Sequence, residues 1–472
     1  MSRLSMGRAA LAATAAAWAV ALAPGNAGAE DLRDAWGIAL RVNQGLQAQQ
    51  AQVGSAERNA AAARSARLPQ VSNFTFNSFL SNSPAISTKG VLPAAATGAG
   101  AGGLGAALPG AFPILGSGQT DFPFSVTYAT VPIYTFGRIR QNIDAARHQQ
   151  SAQQTEVSRS ALDLKLTVAE AYIGVLRARR QLEVARSDVV RLVAFARDVI
   201  NRREQGLAIR SDELAAEVSL ANARVREIQA RNALTAAWAT YNRYVCRPLT
   251  ATADLTEIDI NIPAARLDLD ALAAGAAPGI TAAGEGEVRD LTALALRARP
   301  ELAGFVEQAR ALDAQAAATL GNIRPVLSFN GAFVYLGNER QLPQGIGAAT
   351  FLLTWNLSDG GASRRRAAGL RFQESAALKR RADAAADIAL QVRTRWLDLD
   401  EARRRLAVAK AAIALAEENL NVVTDRYRQQ LSTYTEVLDA ETRRVQALTN
   451  LYDANYDTAR AFFRLRRAVG DI

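Results

Sequence analysis

A seven-residue apolar repeat that occurs twice is the feature that most constrains the fold of this chain. The first copy lies in residues 168–200, and the second follows 224 residues later, with Leu406 in the place of Leu182. Such a sustained repeat is typical of a coiled-coil seam rather than of an ordinary globular helix. It predicts two long helices, residues 138–205 and 364–429, each roughly 100 Å long at about 1.5 Å per residue. The repeat positions of the first copy are Val168, Val175, Leu182, Val189 and Ala196.

The first residues have the pattern of a secretory signal peptide. Arg3 and Arg8 precede an apolar run over residues 9–23, and the small residues 27–29 follow it. This order of a basic, an apolar and a small-residue segment predicts a signal peptide over residues 1–29, with cleavage before Glu30. The cleavage site contains no cysteine, so lipid attachment there is not expected.

The composition argues against several kinds of chemistry. The chain has 55 basic and 45 acidic residues but only one histidine, His148, and one cysteine, Cys246. An internal disulfide, a His/Cys metal site and a Ser-His or Cys-His dyad therefore lack their parts. We expect no catalytic, metal or cofactor site and no enzymatic activity. The basic residues alternate with acidic ones along the helices, which favours solvated coiled-coil flanks over nucleic-acid binding.

The mature chain reads as two structural repeats joined by a linker. The first repeat covers residues 30–248 and the second covers 291–472, with a linker rich in alanine and glycine at 249–290. Each repeat is predicted to contain a helix, two strands, a long helix and a return helix. The predicted elements are a first helix over 31–67, a strand pair over 71–134 with a long loop at 80–121, helices over 138–205 and 212–246, a second strand pair over 327–357, and helices over 364–429 and 434–468.

Two constant offsets support the repeat. Pro69 corresponds to Pro325, 256 residues later, whereas Gly137 corresponds to Gly361, 224 residues later. The difference of 32 residues lies in the connection between the first two strands. Because insertions concentrate in exposed loop tips, this long loop is expected to project from the structure.

The four predicted strands have the length and alternation of membrane-spanning β-strands. Segments of about 9–13 residues match a bilayer crossing. Four strands cannot close a barrel, and lipid does not tolerate open sheet edges, so membrane insertion would require several copies. Two copies would supply eight strands and three would supply twelve. The alternative is that these are half-buried strands of a soluble periplasmic domain.

Three paired features resemble the TolC-like outer-membrane efflux protein family. They are the Pro69 and Pro325 entries to the strands, the strand exits at 131–137 and 355–361, and the tips at 206–214 and 431–441. The resemblance implies a mainly α fold with a small β part, in which long coiled-coil helices form an α-helical tunnel. It further implies a homotrimer whose strands complete a 12-stranded barrel in the outer membrane, with the helices extending into the periplasm.

The resemblance also implies an acidic ring at the periplasmic aperture. The family places acidic residues just past the second tip, which correspond here to Glu436 and Asp439. A ring of carboxylates would favour cations in a narrow mouth. The alternative is helix-end chemistry, because Thr433 and Glu436 have the spacing of a capping box.

The family further closes this aperture with a polar latch. Asp212 and Tyr427 resemble two of its members, whereas the position of the usual arginine is occupied by Ser432. We expect a weaker latch, or one that relies on neighbouring arginines such as Arg426 and Arg428.

The two tips resemble the sites where periplasmic adaptor hairpins dock. Gly206 suits a turn with positive φ, while Gln430 replaces the usual glycine in the second copy. The candidate docking residues are Gly206, Leu207 and Ala208 at the first tip and Gln430, Leu431 and Ser432 at the second.

The sequence therefore favours a trimeric outer-membrane channel for passive export. It would take small molecules or a secreted protein from an inner-membrane transporter through a periplasmic adaptor, the membrane fusion protein of tripartite efflux and type I secretion systems. The alternative is a periplasmic coiled-coil adaptor or structural protein without a membrane barrel.

Overall fold

The computed structural model describes residues 29–79, 121–206, 208–258, 284–337 and 343–472. Most of the predicted signal peptide, the long strand loop, residues 259–283 of the predicted linker and Leu207 lie outside these ranges. The first repeat contains α1 Leu32–Val42, α2 Gln44–Ser65, β1 Gln70–Phe79, β2 Asp121–Tyr134, α3 Arg138–Glu204 and α4 Arg210–Tyr244. The second contains α5 Gly284–Ala298, α6 Pro300–Leu320, β3 Val326–Leu336, β4 Gly345–Thr354, α7 Ala362–Arg428 and α8 Tyr434–Val469.

The chain divides into two compact units. The first unit takes its residues from 1–51, 155–302 and 382–472, and the second from 52–154 and 303–381. The first unit is helical in its described part, and the second combines helical segments with the sheet. The fold is thus mainly α with a small β part, as the sequence predicts. None of the described helices has an apolar stretch long enough to cross a membrane.

The heptad seam forms the core of the first unit. Val168, Val175 and Leu182 of α3 are buried, together with Tyr241 of α4 and Tyr456 of α8. Burial of a continuous apolar seam is the main favourable term that holds such long helices together. The seven-residue repeat therefore marks packing between helices of the same chain.

The first helix of each repeat is broken, which the sequence analysis did not predict. The single helix expected over residues 31–67 is interrupted at Asn43, whose side-chain oxygen accepts from the backbone N–H of Leu46 at 3.1 Å. In the second repeat the break falls at Arg299, before Pro300. The residue before a proline avoids the helical region, which explains the second break. Asn43 and Arg299 are 256 residues apart, so the break is itself part of the repeat.

The second unit contains one antiparallel sheet with the strand order β1-β2-β3-β4. The strands pair consecutively, and an irregularity of register between β2 and β3 lies at Pro132 and Tyr134. Strands β1 and β4 are the two edges of the sheet in a single chain. Neither edge is paired with another described strand.

The strand registers place the two aromatic sets of the sheet on opposite faces. Residues that pair directly across an antiparallel ladder point to the same face. Phe74 pairs with Val126, which pairs in turn with Val334. The neighbouring Thr127 pairs with Phe333 and so lies on the other face. Each strand pair has the predicted alternation, but the two pairs are opposite in phase, so each face carries one aromatic set.

Candidate functional site

The candidate site lies at the two tips of the first unit, where α3 turns into α4 and α7 turns into α8. Gly206 has φ +74° and Gln430 has φ +60°, and the two residues are 224 positions apart. Each donates its backbone N–H to the carbonyl three residues earlier, at 2.9 Å from Arg203 and at 3.0 Å from Tyr427. Gln430 thus adopts the same left-handed conformation as glycine. The glutamine does not change the backbone of the second tip at this position.

Each tip exposes an apolar side chain. Leu431 is 64% exposed while its backbone N–H donates to the carbonyl of Arg426 at 2.8 Å, which completes the helix end. At the first tip Ile209 is equally exposed, and Ala208 packs partly against a small apolar cluster. Leu207 lies outside the described residues. A rigid turn that presents an apolar side chain to solvent has the properties of a contact surface.

Glu436 is an exposed carboxylate held by the second tip. It accepts hydrogen bonds from the hydroxyls of Ser432 at 2.9 Å and Thr433 at 3.3 Å. The bond from Ser432, followed by one from the backbone N–H of Thr433, holds the pKa of Glu436 below its ordinary value. Thr433 is the N-cap of α8 but makes no side-chain cap bond, so the capping box is half formed. Asp439, one turn further along α8, is also exposed.

Two tyrosines meet beneath the tips. The ring centroids of Tyr427 and Tyr434 are 5.7 Å apart, and Tyr434 is only 2% exposed. Both hydroxyls are buried and have no hydrogen-bond partner among the described residues. Burial raises the pKa of both phenols, and the charges of Asp198 and Asp212 act in the same direction. A buried hydroxyl without a partner costs about 1–3 kcal/mol, so this arrangement is poised to accept one.

The predicted latch residues are close to one another but do not form a hydrogen-bonded cluster. Asp212 lies in the first turn of α4, near enough for its charge to act on Tyr427 without a bond to that hydroxyl. Ser432 bonds to Glu436 instead of Tyr427. Arg426 donates to the carbonyl of Leu431, and Arg428 pairs with Asp425, both at 3.4 Å.

The arginine at Tyr427 comes from α3 and was missed in the sequence analysis. The guanidinium of Arg202 lies 4.7 Å from the centroid of the Tyr427 ring, and its Nε donates to Asp198 at 3.0 Å. Arg202 is the repeat counterpart of Arg426, 224 positions earlier. That correspondence was the available signal, because both arginines end a long helix.

The first tip also contains a buried acid that was missed. Glu213 is 7% exposed and pairs with Arg203 at 2.7 Å and with Arg210. The hydrogen bond from Arg210 is the main cause that lowers the pKa of Glu213. Its repeat counterpart is Val437, which is buried. The two tips thus share a backbone but hold their helices by different interactions.

Two tandem copies of a broken helix, a strand pair and a long helical hairpin define a TolC-like outer-membrane protein. A family model described as outer membrane efflux protein matches residues 37–244. The predicted resemblance to this family and the predicted location in the outer membrane are confirmed. No curated protein matches the sequence.

Solved outer-membrane channels have the same fold. The outer-membrane channel OprN matches with a TM-score of 0.71 and 17% identity, over 93% of this chain and 90% of that one. CusC, whose structures concern transmembrane channel formation, matches with 0.72 and 15%, over 93% and 92%. VceC of Vibrio cholerae matches with 0.71 and 15%, over 93% and 96%. The family and these folds support an efflux channel role and are those of channels rather than of enzymes.

Proposed function

We propose that this protein is a trimeric outer-membrane channel for passive export. In this proposal it receives small molecules or a secreted protein from an inner-membrane pump through a periplasmic adaptor protein. The observation that carries the proposal is the four-stranded sheet, whose edges β1 and β4 are unpaired with other described strands in a fold otherwise matched by channels. Lipid does not tolerate such edges, and pairing with further copies would remove them.

Three copies fit the proposal better than two. Three chains would supply twelve strands, enough to leave a lumen, whereas an eight-stranded barrel fills its own interior with side chains. Apolar side chains that a single chain leaves exposed support contact with neighbouring copies. On α7 these are Leu390, Leu397, Val408, Leu415 and Val422, and on α4 they are Leu214, Val218, Val225 and Ile228.

The acidic residues past the second tip are proposed to ring the periplasmic aperture. Glu436 is exposed and its lowered pKa keeps it charged well into the acidic range. Asp439 is exposed on the following turn. Three copies of each carboxylate at a narrow mouth would attract cations and repel anions.

The aperture is proposed to be held closed by Tyr427, Asp212 and Arg202. The contact of the Arg202 guanidinium with the Tyr427 ring joins α3 to α7, and the Asp212 charge on α4 is close to the same ring. Arg202 would then supply the positive charge that Ser432 cannot. Cation–π contacts of this kind contribute about 0.5–2 kcal/mol each.

The tips are proposed to bind the adaptor. The exposed Leu431 and its neighbours Gln430 and Ser432 form the second contact, and Gly206, Leu207 and Ala208 form the first. Two similar backbone turns 224 residues apart would present two related docking surfaces per chain. A helical hairpin with an apolar end is the partner chemistry that suits such a surface.

Membrane fractionation with mass measurement tests this proposal. The expected result is a particle of three chains, extracted by detergent from the outer-membrane fraction. Recovery of a monomer or dimer from the soluble periplasmic wash would contradict the proposal and favour the coiled-coil protein without a barrel.

A further inference from the structure

Glu30 is the most heavily bonded residue near the predicted cleavage site. Its backbone N–H donates to the carbonyl of Asp254 at 2.8 Å, and its own carbonyl accepts from Thr256 at 3.0 Å. These bonds form an isolated parallel bridge with Leu255. The first residue of the mature chain is thus tied to the segment that follows α4.

The side chain of Glu30 enters the core of the first unit. Its carboxylate accepts from the hydroxyl of Tyr241 and from Arg247, both at 2.7 Å, and it is only 11% exposed. The hydroxyl of Tyr172 lies 2.8 Å from the carbonyl oxygen of Glu30. Both tyrosines are fully buried. The backbone and carboxylate of one residue therefore hold α3, α4 and the chain after α4 together.

The charges around this residue do not balance. Asp254 has Arg179 as a partner at 3.7 Å, but Arg179 also pairs with Glu257 at 3.0 Å. Four carboxylates in this region face three guanidinium groups, and one of these, Arg180, is shared with Glu183. The carboxylates are Glu30, Asp31, Asp254 and Glu257, and the guanidinium groups are those of Arg179, Arg180 and Arg247.

We propose that the missing positive charge is the α-ammonium group that cleavage before Glu30 creates. The nitrogen of Glu30 already bonds to the Asp254 carbonyl, and Ala29 before it is exposed. Cleavage therefore keeps this bond and adds a positive charge beside the surplus carboxylates. Opposite charges at this distance stabilise the folded state, and more so at low salt. The inference rests on the predicted cleavage site and is independent of the proposed channel function.

The proposal also orders two events. In the folded chain the backbone on the mature side of the cleaved bond is held in the bridge with Leu255, and the side chain of Glu30 is buried. A peptidase needs this segment extended and free. Cleavage therefore comes before docking of Glu30, and the released ammonium group then stabilises the docked state.

An insertion that moves the ammonium group tests the proposal on the full, exported chain. The first step is to determine the N-terminal residue of the purified protein, and the expected residue is Glu30. A Gly-Ser insertion between Ala29 and Glu30 keeps the cleavage site but displaces the charge by two residues into solvent. We expect this chain to unfold about threefold faster at pH 6 and low salt, because an exposed ion pair contributes at most about 1 kcal/mol. The difference should vanish above about pH 9, where the amine is neutral.

A double-mutant cycle separates the charge effect from a purely structural one. Asp254→Asn should speed unfolding when the chain begins at Glu30 and should have much less effect in the chain with the insertion. Asp400→Asn, which removes an exposed carboxylate paired with Arg404, should act equally in both. A mature chain that begins elsewhere, an insertion without effect, or an equal effect of Asp254→Asn in both chains would overturn the proposal.

Discussion

At the scale of single residues, the two tips show one backbone conformation reached by different side chains. Gly206 and Gln430 both have a left-handed φ, and a Cβ atom added to Gly206 would contact nothing. The difference between the tips is therefore conformational rather than steric. The sequence identified both positions as turns, but it could not show that glutamine would adopt the conformation of glycine.

Exchanging the two residues should have opposite effects. Gly206→Gln should destabilise the first tip by about 1 kcal/mol, because non-glycine residues pay this cost in the left-handed region. Gln430→Gly should stabilise the second tip by about 0.5 kcal/mol, since part of the gain is lost to the greater freedom of glycine in the unfolded chain. Hydrogen exchange of the tip amides measures both changes. Equal destabilisation by the two variants would contradict the explanation.

Arg202 is the residue whose removal should open the proposed aperture. Arg202→Ala deletes the contact with the Tyr427 ring, so the open state should be populated about threefold or more in excess of the parent. Conductance of single channels measures this shift. Arg428→Ala is the matched control, because Arg428 pairs only with the exposed Asp425 among its described ion-pair partners. Equal conductance of the Arg202 variant and the parent would remove Arg202 from the latch.

At the scale of elements, the break between α5 and α6 is stabilised by a charge cluster. Arg299 is buried and pairs with Glu301 at 2.9 Å, and Arg467 of α8 also reaches Glu301 at 2.9 Å. Burial alone would raise the pKa of Glu301, but hydrogen bonds from the two arginines lower it to about 2. The sequence predicted one continuous first helix in the first repeat, because the apolar pattern continues across Asn43. Only the capping contact at Asn43 reveals the break.

Glu301→Gln should reduce stability in a pH-dependent way. The folded pKa of about 2 lies below the ordinary value of 4.5, so the carboxylate stabilises the fold above about pH 4.5. This contribution, about 3 kcal/mol at most, is lost as the pH falls toward 2. Chemical unfolding of the variant and the parent at pH 7 and at pH 2.5 measures it. A difference that is equal at both values would contradict the assignment.

At the scale of the whole molecule, the sequence predicted the architecture but not all of its pairings. The gap-free repeat and the heptads predicted the long helices, because their signals are local and periodic. The opposite phase of the two strand pairs was not predictable, since alternation within a strand does not reveal the register with its neighbour. For the same reason the contact of Arg202 with Tyr427, which joins distant parts of the chain, appeared only in the structure.

The exposed apolar residues of α7 should be needed for assembly. Leu415 is 73% exposed in the single chain, so Leu415→Asp should leave the fold of the chain intact. It should weaken association at least tenfold, because it places a charge in the proposed contact between copies. Asn421→Asp adds the same charge at another exposed position of α7 and should not weaken assembly. Native mass measurement tests this, and an unaffected trimer in the Leu415 variant would exclude this contact.

Current recording in a planar bilayer tests the central claim most directly. The purified full chain should produce discrete conductance steps that multivalent cations block from the side of the tips. Combined Glu436→Ala and Asp439→Ala substitutions should weaken this block while the steps persist, because the proposed carboxylate rings attract the blocking ion. Unchanged block would remove both residues from the pore mouth. The absence of discrete steps from correctly assembled protein would contradict the assignment of this protein as an export channel.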